Sequence, residues 1–282
     1  PRARLLVRRP LAAAAALVVA LGAGALLADR LAPGVSADGT DGAAAWDVAV
    51  LEGTPRIGDG RLRPGEALVT GAGERVRVQV ADIGRVDVQP GSALRLVRSA
   101  ADEHRIALDR GRIEAFVIAP PRLFLVETPA ALAVDLGCAY ELDVADDGSG
   151  RLRVTAGWVA LERDGRETIV PEGAVCRIDA VHGPAVPRYE ASPEAFDRAL
   201  DRVEAGDHSA AAVAALIAES ASHDVLSLWH LLPRVADIGV RRTIAEAVAA
   251  HEPPPAEVTL DAVVRLDADA LRVWGDELAR GW

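Results

Sequence analysis

Arg75-Val76-Arg77-Val78-Gln79-Val80 alternates charged or polar side chains with valines for six residues. A period of two puts every second side chain on one face, which marks a half-buried β-strand. The same phase recurs at Val86-Asp87-Val88 and at Arg151-Leu152-Arg153-Val154. From Trp46 to about Val186 the chain therefore predicts an antiparallel sheet with one wet face and one dry face. Glycines at 65, 91, 111, 157 and 173 each follow a short strand and precede another. They predict tight hairpin turns, because glycine supplies the positive φ that such turns need. The clearest repeat sets Arg105-Ile-Ala-Leu-Asp-Arg-Gly-Arg-Ile against Arg151-Leu-Arg-Val-Thr-Ala-Gly-Trp-Val. A β-sandwich of jelly-roll type is the expected architecture, ahead of a short β-helix-like stack.

Outward from this centre the pattern changes twice. Leu11 to Ala28 carries only Ala, Leu, Val and Gly. Eighteen helical residues span ~27 Å, close to the hydrocarbon thickness of a bilayer. Arg2, Arg4, Arg8 and Arg9 precede the run, which orients the N-terminal side toward the cytoplasm. A retained anchor is favoured over a cleaved signal peptide, whose apolar region is usually shorter. The expected organisation is a basic cytoplasmic stub (1–10), a transmembrane helix (11–30), a linker rich in Gly, Ala and Asp (31–45), a β domain (46–187) and a helical domain (188–282). The localisation that follows is a bacterial inner membrane, crossed once, with the bulk of the chain periplasmic.

After Pro187 the period becomes helical. Helices are expected over about 193–205, 208–221, 224–232, 234–251 and 268–280. Ser192 should cap the first with Pro193 at its first position; Asp207, Asp224 and Asp267 are further candidate caps. Leu226, Leu228, Trp229, Leu231 and Leu232 form an apolar patch that only helix-on-helix packing would cover. The class expected overall is mainly β, with an N-terminal transmembrane helix and a small C-terminal all-α domain.

Composition excludes some partners and leaves others open. Net charge is −11, and neutralising phosphates takes a basic surface, so nucleic acid is not an expected partner. All the basic charge is Arg. Half the residues are hydrophobic but only 4% are aromatic, so aliphatic side chains must build the interior.

The middle of the chain resembles the FecR family, the extracytoplasmic module of membrane-bound sigma-factor regulators. The resemblance is carried by Leu68-Val-Thr, Val86-Asp-Val-Gln-Pro-Gly-Ser-Ala-Leu-Arg-Leu and Leu108-Asp-Arg-Gly-Arg-Ile. It is strongest over Phe124-Leu-Val-Glu-Thr-Pro-Ala-Ala-Leu-Ala-Val-Asp-Leu-Gly-Cys-Ala-Tyr-Glu-Leu, followed by Val154-Thr-Ala-Gly-Trp-Val. The family pattern of V-x-T-P, then G-T-x-F-x-V, then V-x-x-G-x-V maps onto Thr128 and Pro129, then Gly137 and Tyr140, then Gly157. Cys138 stands where the family has Thr. The resemblance implies a signalling protein that acts by protein–protein contact, in the manner of an anti-sigma factor, with an envelope protein as partner. A sigma factor would join it if a cytoplasmic segment precedes Pro1. The alternative expectation is a structural scaffold of an envelope assembly with no sigma-factor role.

The search for chemistry returns little. Two cysteines, Cys138 and Cys176, fall in predicted strands, where an exported compartment permits a disulfide; two separate buried thiols are the other reading. The six histidines form no H-x-x-H or H-E-x-x-H pattern, so no metal site is expected. Gly91-Ser92 and Gly148-Ser149 lack the turn that exposes a serine nucleophile. No phosphate or dinucleotide fingerprint is present. The expectation is a non-enzymatic protein without a cofactor. Trp46 and Trp158 are the only β-region candidates for a carbohydrate-stacking face.

Overall fold

The computed structural model describes residues 45–282. The expected cytoplasmic stub, transmembrane helix and nearly all of the linker lie outside the described residues. Among those described, no helix is long and apolar enough to cross a membrane.

The alternating segments form strands: β1 (Trp46–Glu52), β2 (Arg61–Leu62), β3 (Ala67–Val69), β4 (Arg75–Val80), β5 (Gly84–Val88), β6 (Ala93–Ala100), β7 (Glu103–Val117) and β8 (Phe124–Glu127). They continue as β9 (Leu132–Asp135), β10 (Ala139–Val144), β11 (Gly150–Ala156), β12 (Trp158–Arg163), β13 (Arg166–Pro171), β14 (Ala174–Asp179), β15 (Gly183–Pro184) and β16 (Arg188–Tyr189). The strand order β1-β4-β5-β7-β10-β11-β14 makes a first sheet, and β3-β6-β7-β8-β9-β12-β13 a second. β7 belongs to both. Its first half pairs with β6 and, in parallel, with β8; its second half pairs with β5 and β10.

The valines of the opening stretch face inward. Val76, Val78 and Val80 of the first sheet join Leu96, Ile106 and Leu161 of the second in one core. Each fully buried aliphatic side chain contributes about 1.5–3 kcal/mol relative to exposure. The outward phase carries ion pairs, such as Arg77 with Asp87 at 2.6 Å. Strict alternation fails along β8, β9 and β12. There Leu125, Val134 and Ala160 form a row on the opposite face that is buried as well.

The expected hairpins at the five glycines are not where hairpins occur. Gly65, Gly91, Gly157 and Gly173 join strands that do not pair with each other, and Gly111 lies inside β7. At these points the chain changes sheet. Two-residue hairpins occur at Ala101-Asp102, between Ala100 and Glu103, and at Asp164-Gly165, between Arg163 and Arg166; in the latter both residues have positive φ, the combination a type I′ turn demands.

The helical region comprises α1 (Glu194–Glu204), α2 (Ala210–Glu219), α3 (Val225–Leu231), α4 (Ile238–His251), α5 (Leu260–Val264) and α6 (Ala268–Leu278). Asp267 caps α6 as expected, but three caps differ. Asp224 precedes α3 without a side-chain cap bond; its carboxylate accepts instead from the Ser192 hydroxyl and from Ala221 N–H at 2.8 Å. Ser192 does not cap α1; its hydroxyl donates instead to Asp224 Oδ1 at 2.6 Å. Asp207 yields the cap of α2 to Ser209, whose hydroxyl it accepts. The short α5, capped by Thr259, has too few residues to show a helical period.

This region is stitched to the sheets by polar side chains. Arg188 is nearly buried and reaches Asp201 at 2.8 Å and Glu204 at 2.7 Å. Arg234 donates to the carbonyls of Pro184 and Ala185, and Ser227 to that of Pro187. Leu226 of α3 inserts into the core between the sheets. Burial works against ionised Asp201, yet the Arg188 and Arg177 guanidiniums outweigh it and hold its carboxyl below the usual range.

Candidate functional site

Two corners, each made of two chain crossings in contact, join the sheets. At the first, Pro90-Gly91-Ser92 carries the chain from β5 to β6, and Gly111 turns β7 back. A Cβ on Gly111 would lie 2.3 Å from Ser92 Oγ and 2.4 Å from its Cα. Only glycine lets the crossings touch. Fully buried Ser92 accepts from Arg112 N–H at 2.9 Å and donates to Arg112 O at 3.1 Å. Thr70 donates to Gln89 O at 2.7 Å and accepts from Ser92 N–H at 3.0 Å. The hydroxyls satisfy backbone groups that the change of sheet leaves without ladder partners.

At the second corner, Leu136-Gly137-Cys138 passes from β9 to β10 and Gly157 passes from β11 to β12. A Cβ on Gly157 would lie 2.3 Å from Gly137 O. Leu136 N–H donates to Trp158 O at 3.2 Å, and Val117 N–H to Cys138 O at 3.0 Å. The lock here is a carboxylate. Asp135, 1% exposed, accepts from Gly137 N–H at 2.7 Å and from the Cys138 thiol at 2.6 Å. Burial raises its pKa to about 6, against the lowering effect of those two donors. Burial and the Asp135 charge together push the Cys138 thiol up, so it is a weak nucleophile. The Tyr140 ring is buried beside this pair, its hydroxyl raised well above normal by burial and without a hydrogen-bond partner among the described residues.

The structure therefore brings Gly137, Cys138, Tyr140 and Gly157 together. Thr128 and Pro129 sit elsewhere, in the β8–β9 turn, where Thr128 Oγ1 accepts from Ala131 N–H at 2.9 Å and donates to Ala131 O at 2.8 Å. Cys176 lies in β14 and donates to Ala185 O at 3.4 Å. Both cysteines are free, buried thiols, each with its own acceptor. Trp46 is buried and donates to Ser99 Oγ at 2.9 Å, which removes it from any stacking face.

Apolar side chains crowd the outside of the second corner. Phe116 is 39% exposed, Ile118 73% and Trp158 39%, on segments whose backbones touch the 136–138 crossing. The Arg85 guanidinium lies 4.7 Å above the Phe116 ring, a cation–π arrangement. The first corner is bordered instead by Asp109, Arg110 and Arg112. Asp135, Phe116 and Ile118 were not among the residues singled out from sequence. Phe116 had a legible signal: it occupies the outward phase of Arg112, Glu114 and Phe116, where an aromatic is out of place.

The body is thus a two-sheet β scaffold with glycine corners, one of them bordered outside by exposed apolar side chains. Residues 66–160 match the model of a family described as FecR protein; the interval runs from the start of β3 into β12 and takes in both corners. Two crystal structures of "a putative anti-sigma factor from Parabacteroides distasonis ATCC 8503", at 1.65 and 2.50 Å resolution, resemble it at 18% sequence identity and a TM-score of 0.40. The likeness covers 44% of this chain and 60% of that one. No curated protein matches.

Proposed function

We propose that the protein is a membrane-anchored, non-enzymatic regulator whose extracytoplasmic FecR domain works by contact with an envelope protein, in the manner of an anti-sigma factor. The observation that carries the contact role is the exposed trio Phe116, Ile118 and Trp158 around the second corner, inside the FecR interval. Aromatic side chains on a rigid support are what contact surfaces use as anchors. The apolar run 11–28, preceded by four arginines, supports the anchor and its orientation. A jelly-roll-like sandwich remains the reading of how the two sheets wind.

The test is transcriptional. Deletion of the gene, and separately the double variant Ile118→Asp, Trp158→Asp, should change the same set of sigma-dependent transcripts. A deletion that leaves those transcripts unchanged overturns the regulatory role. The scaffold reading draws on the polar stitching of helices to sheets through Arg188 and Arg234, which makes one firm body of both parts. It predicts unchanged transcripts with loss of a co-purifying envelope complex.

A further inference from the structure

The second sheet has two margins, and they are treated differently. β13, at one margin, has the buried His230 of α3 beside the Ile169 backbone. β3, at the other, pairs with β6 alone. Thr70 N–H donates to Ser92 O at 3.0 Å and Leu96 N–H to Glu66 O at 3.1 Å. With Leu68 opposite Leu94, the even-numbered residues turn their backbone groups toward β6. The N–H and C=O of Ala67 and Val69 therefore point away from the sheet.

Natural sheet margins are usually blunted by charge, proline or a bulge. Here the outward side chains are Ala67 and Val69, the latter 53% exposed. A cavity of about 350 Å³ opens along this margin, its charged lining made of the arginines 56, 61 and 63 and the carboxylates Asp59 and Glu66. Arg61 pairs with Asp47, and Arg63 with Asp59. Arg56 has no acidic partner among the described residues. Arg63 is doubly paired, with Glu66 at 3.6 Å as well, so the margin combines free strand-forming groups, an exposed valine and one arginine, Arg56, without an ion-pair partner among the described residues.

We infer that the β3 margin receives an extended acidic segment of a partner protein, which adds as a strand beside Ala67–Val69 and places a carboxylate at Arg56. Main-chain bonds give such an addition its affinity, and the flanking cavity its preference for one side chain. The inference concerns a surface separate from the Gly137 corner and holds whether or not the protein regulates transcription.

The probe is a fluorescein-labelled hexapeptide of alternating valine and glutamate, with a lysine-for-glutamate version as control. Binding to the purified protein is followed by anisotropy, and the bound edge is mapped by amide hydrogen exchange. The glutamate peptide should bind and slow exchange at Ala67 and Val69. Val69→Pro keeps the ladder to β6, because the Val69 N–H faces outward, and should weaken binding by about tenfold or more. Arg56→Glu, on an exposed loop, should weaken the glutamate peptide by about three- to tenfold and favour the lysine version. Circular dichroism and melting temperature confirm that both variants fold. No binding at millimolar peptide, protection at another strand, or affinity unchanged in Val69→Pro overturns the inference. Equal binding of both peptides to the wild type overturns the assignment of Arg56.

Discussion

The two corners solve one geometric problem with different chemistry. Both need a glycine whose Cβ would collide with the neighbouring crossing, Gly111 with Ser92 and Gly157 with Gly137. The first is then locked by hydroxyls that do not titrate near neutral pH, while the second is locked by a buried carboxylate on a thiol. The first is bordered by charge, the second by Phe116, Ile118 and Trp158. Backbone crowding fixes the glycine at each corner; it leaves the locking groups and the outer surface free to differ. The second corner is the one that carries the proposed contact surface.

The comparison can be broken first at the glycines. Gly157→Ala should destabilise by about 4 kcal/mol, since a positive φ of 71° and a contact of 2.3 Å act together. Gly165→Ala, at φ 74° in open space, should cost only about 1–2 kcal/mol. Urea denaturation of the pair checks this; equal losses would mean that contact at the corner is unimportant.

The next effect separates the locks. Asp135 binds its proton more tightly when folded, with a pKa of about 6 against 3.8 unfolded. Between those values the folded state holds more protons, so stability should fall as pH rises through that window and level off above it. About two pKa units correspond to about 3 kcal/mol. Asp135→Asn should remove this slope, read from urea midpoints at pH 4 and pH 7. At the first corner, Ser92→Ala should cost about 2 kcal/mol at every pH, because it strands the Arg112 backbone groups. A pH slope in the Ser92→Ala difference would show that the locks are not distinct. Smallest in stability is Phe116→Ala, at about 1 kcal/mol or less, from the lost Arg85 contact.

How much of this was legible varies with the range of the signal. Alternation at Arg75–Val80 named the strands and their inner face, because a period of two is local. Gly111 and Gly157 were seen as special but given hairpin roles: positive φ marks a tight turn, and nothing adjacent says whether the next strand pairs with the last. The family resemblance selected Gly137 and Gly157 without showing that they touch. Asp135 was missed because it ends an apolar run, Leu132-Ala-Val, that is buried on both faces and so lacks alternation. In the helical region, Ser192 and Asp207 carried good capping side chains, but a tertiary partner, Asp224, claimed the first and a local one, Ser209, the second.

The central claim is that the second corner is a protein-contact surface and the charged sheet face beside it is not. The direct measurement places the photo-crosslinking residue p-benzoylphenylalanine at position 116 or, two residues back on the same outward face of β7, at position 114. Light-induced adducts are then compared in living cells. A discrete adduct from position 116, absent from position 114 and lost with Ile118→Asp, is the predicted result. The same adducts from both positions, or none from position 116, would contradict it.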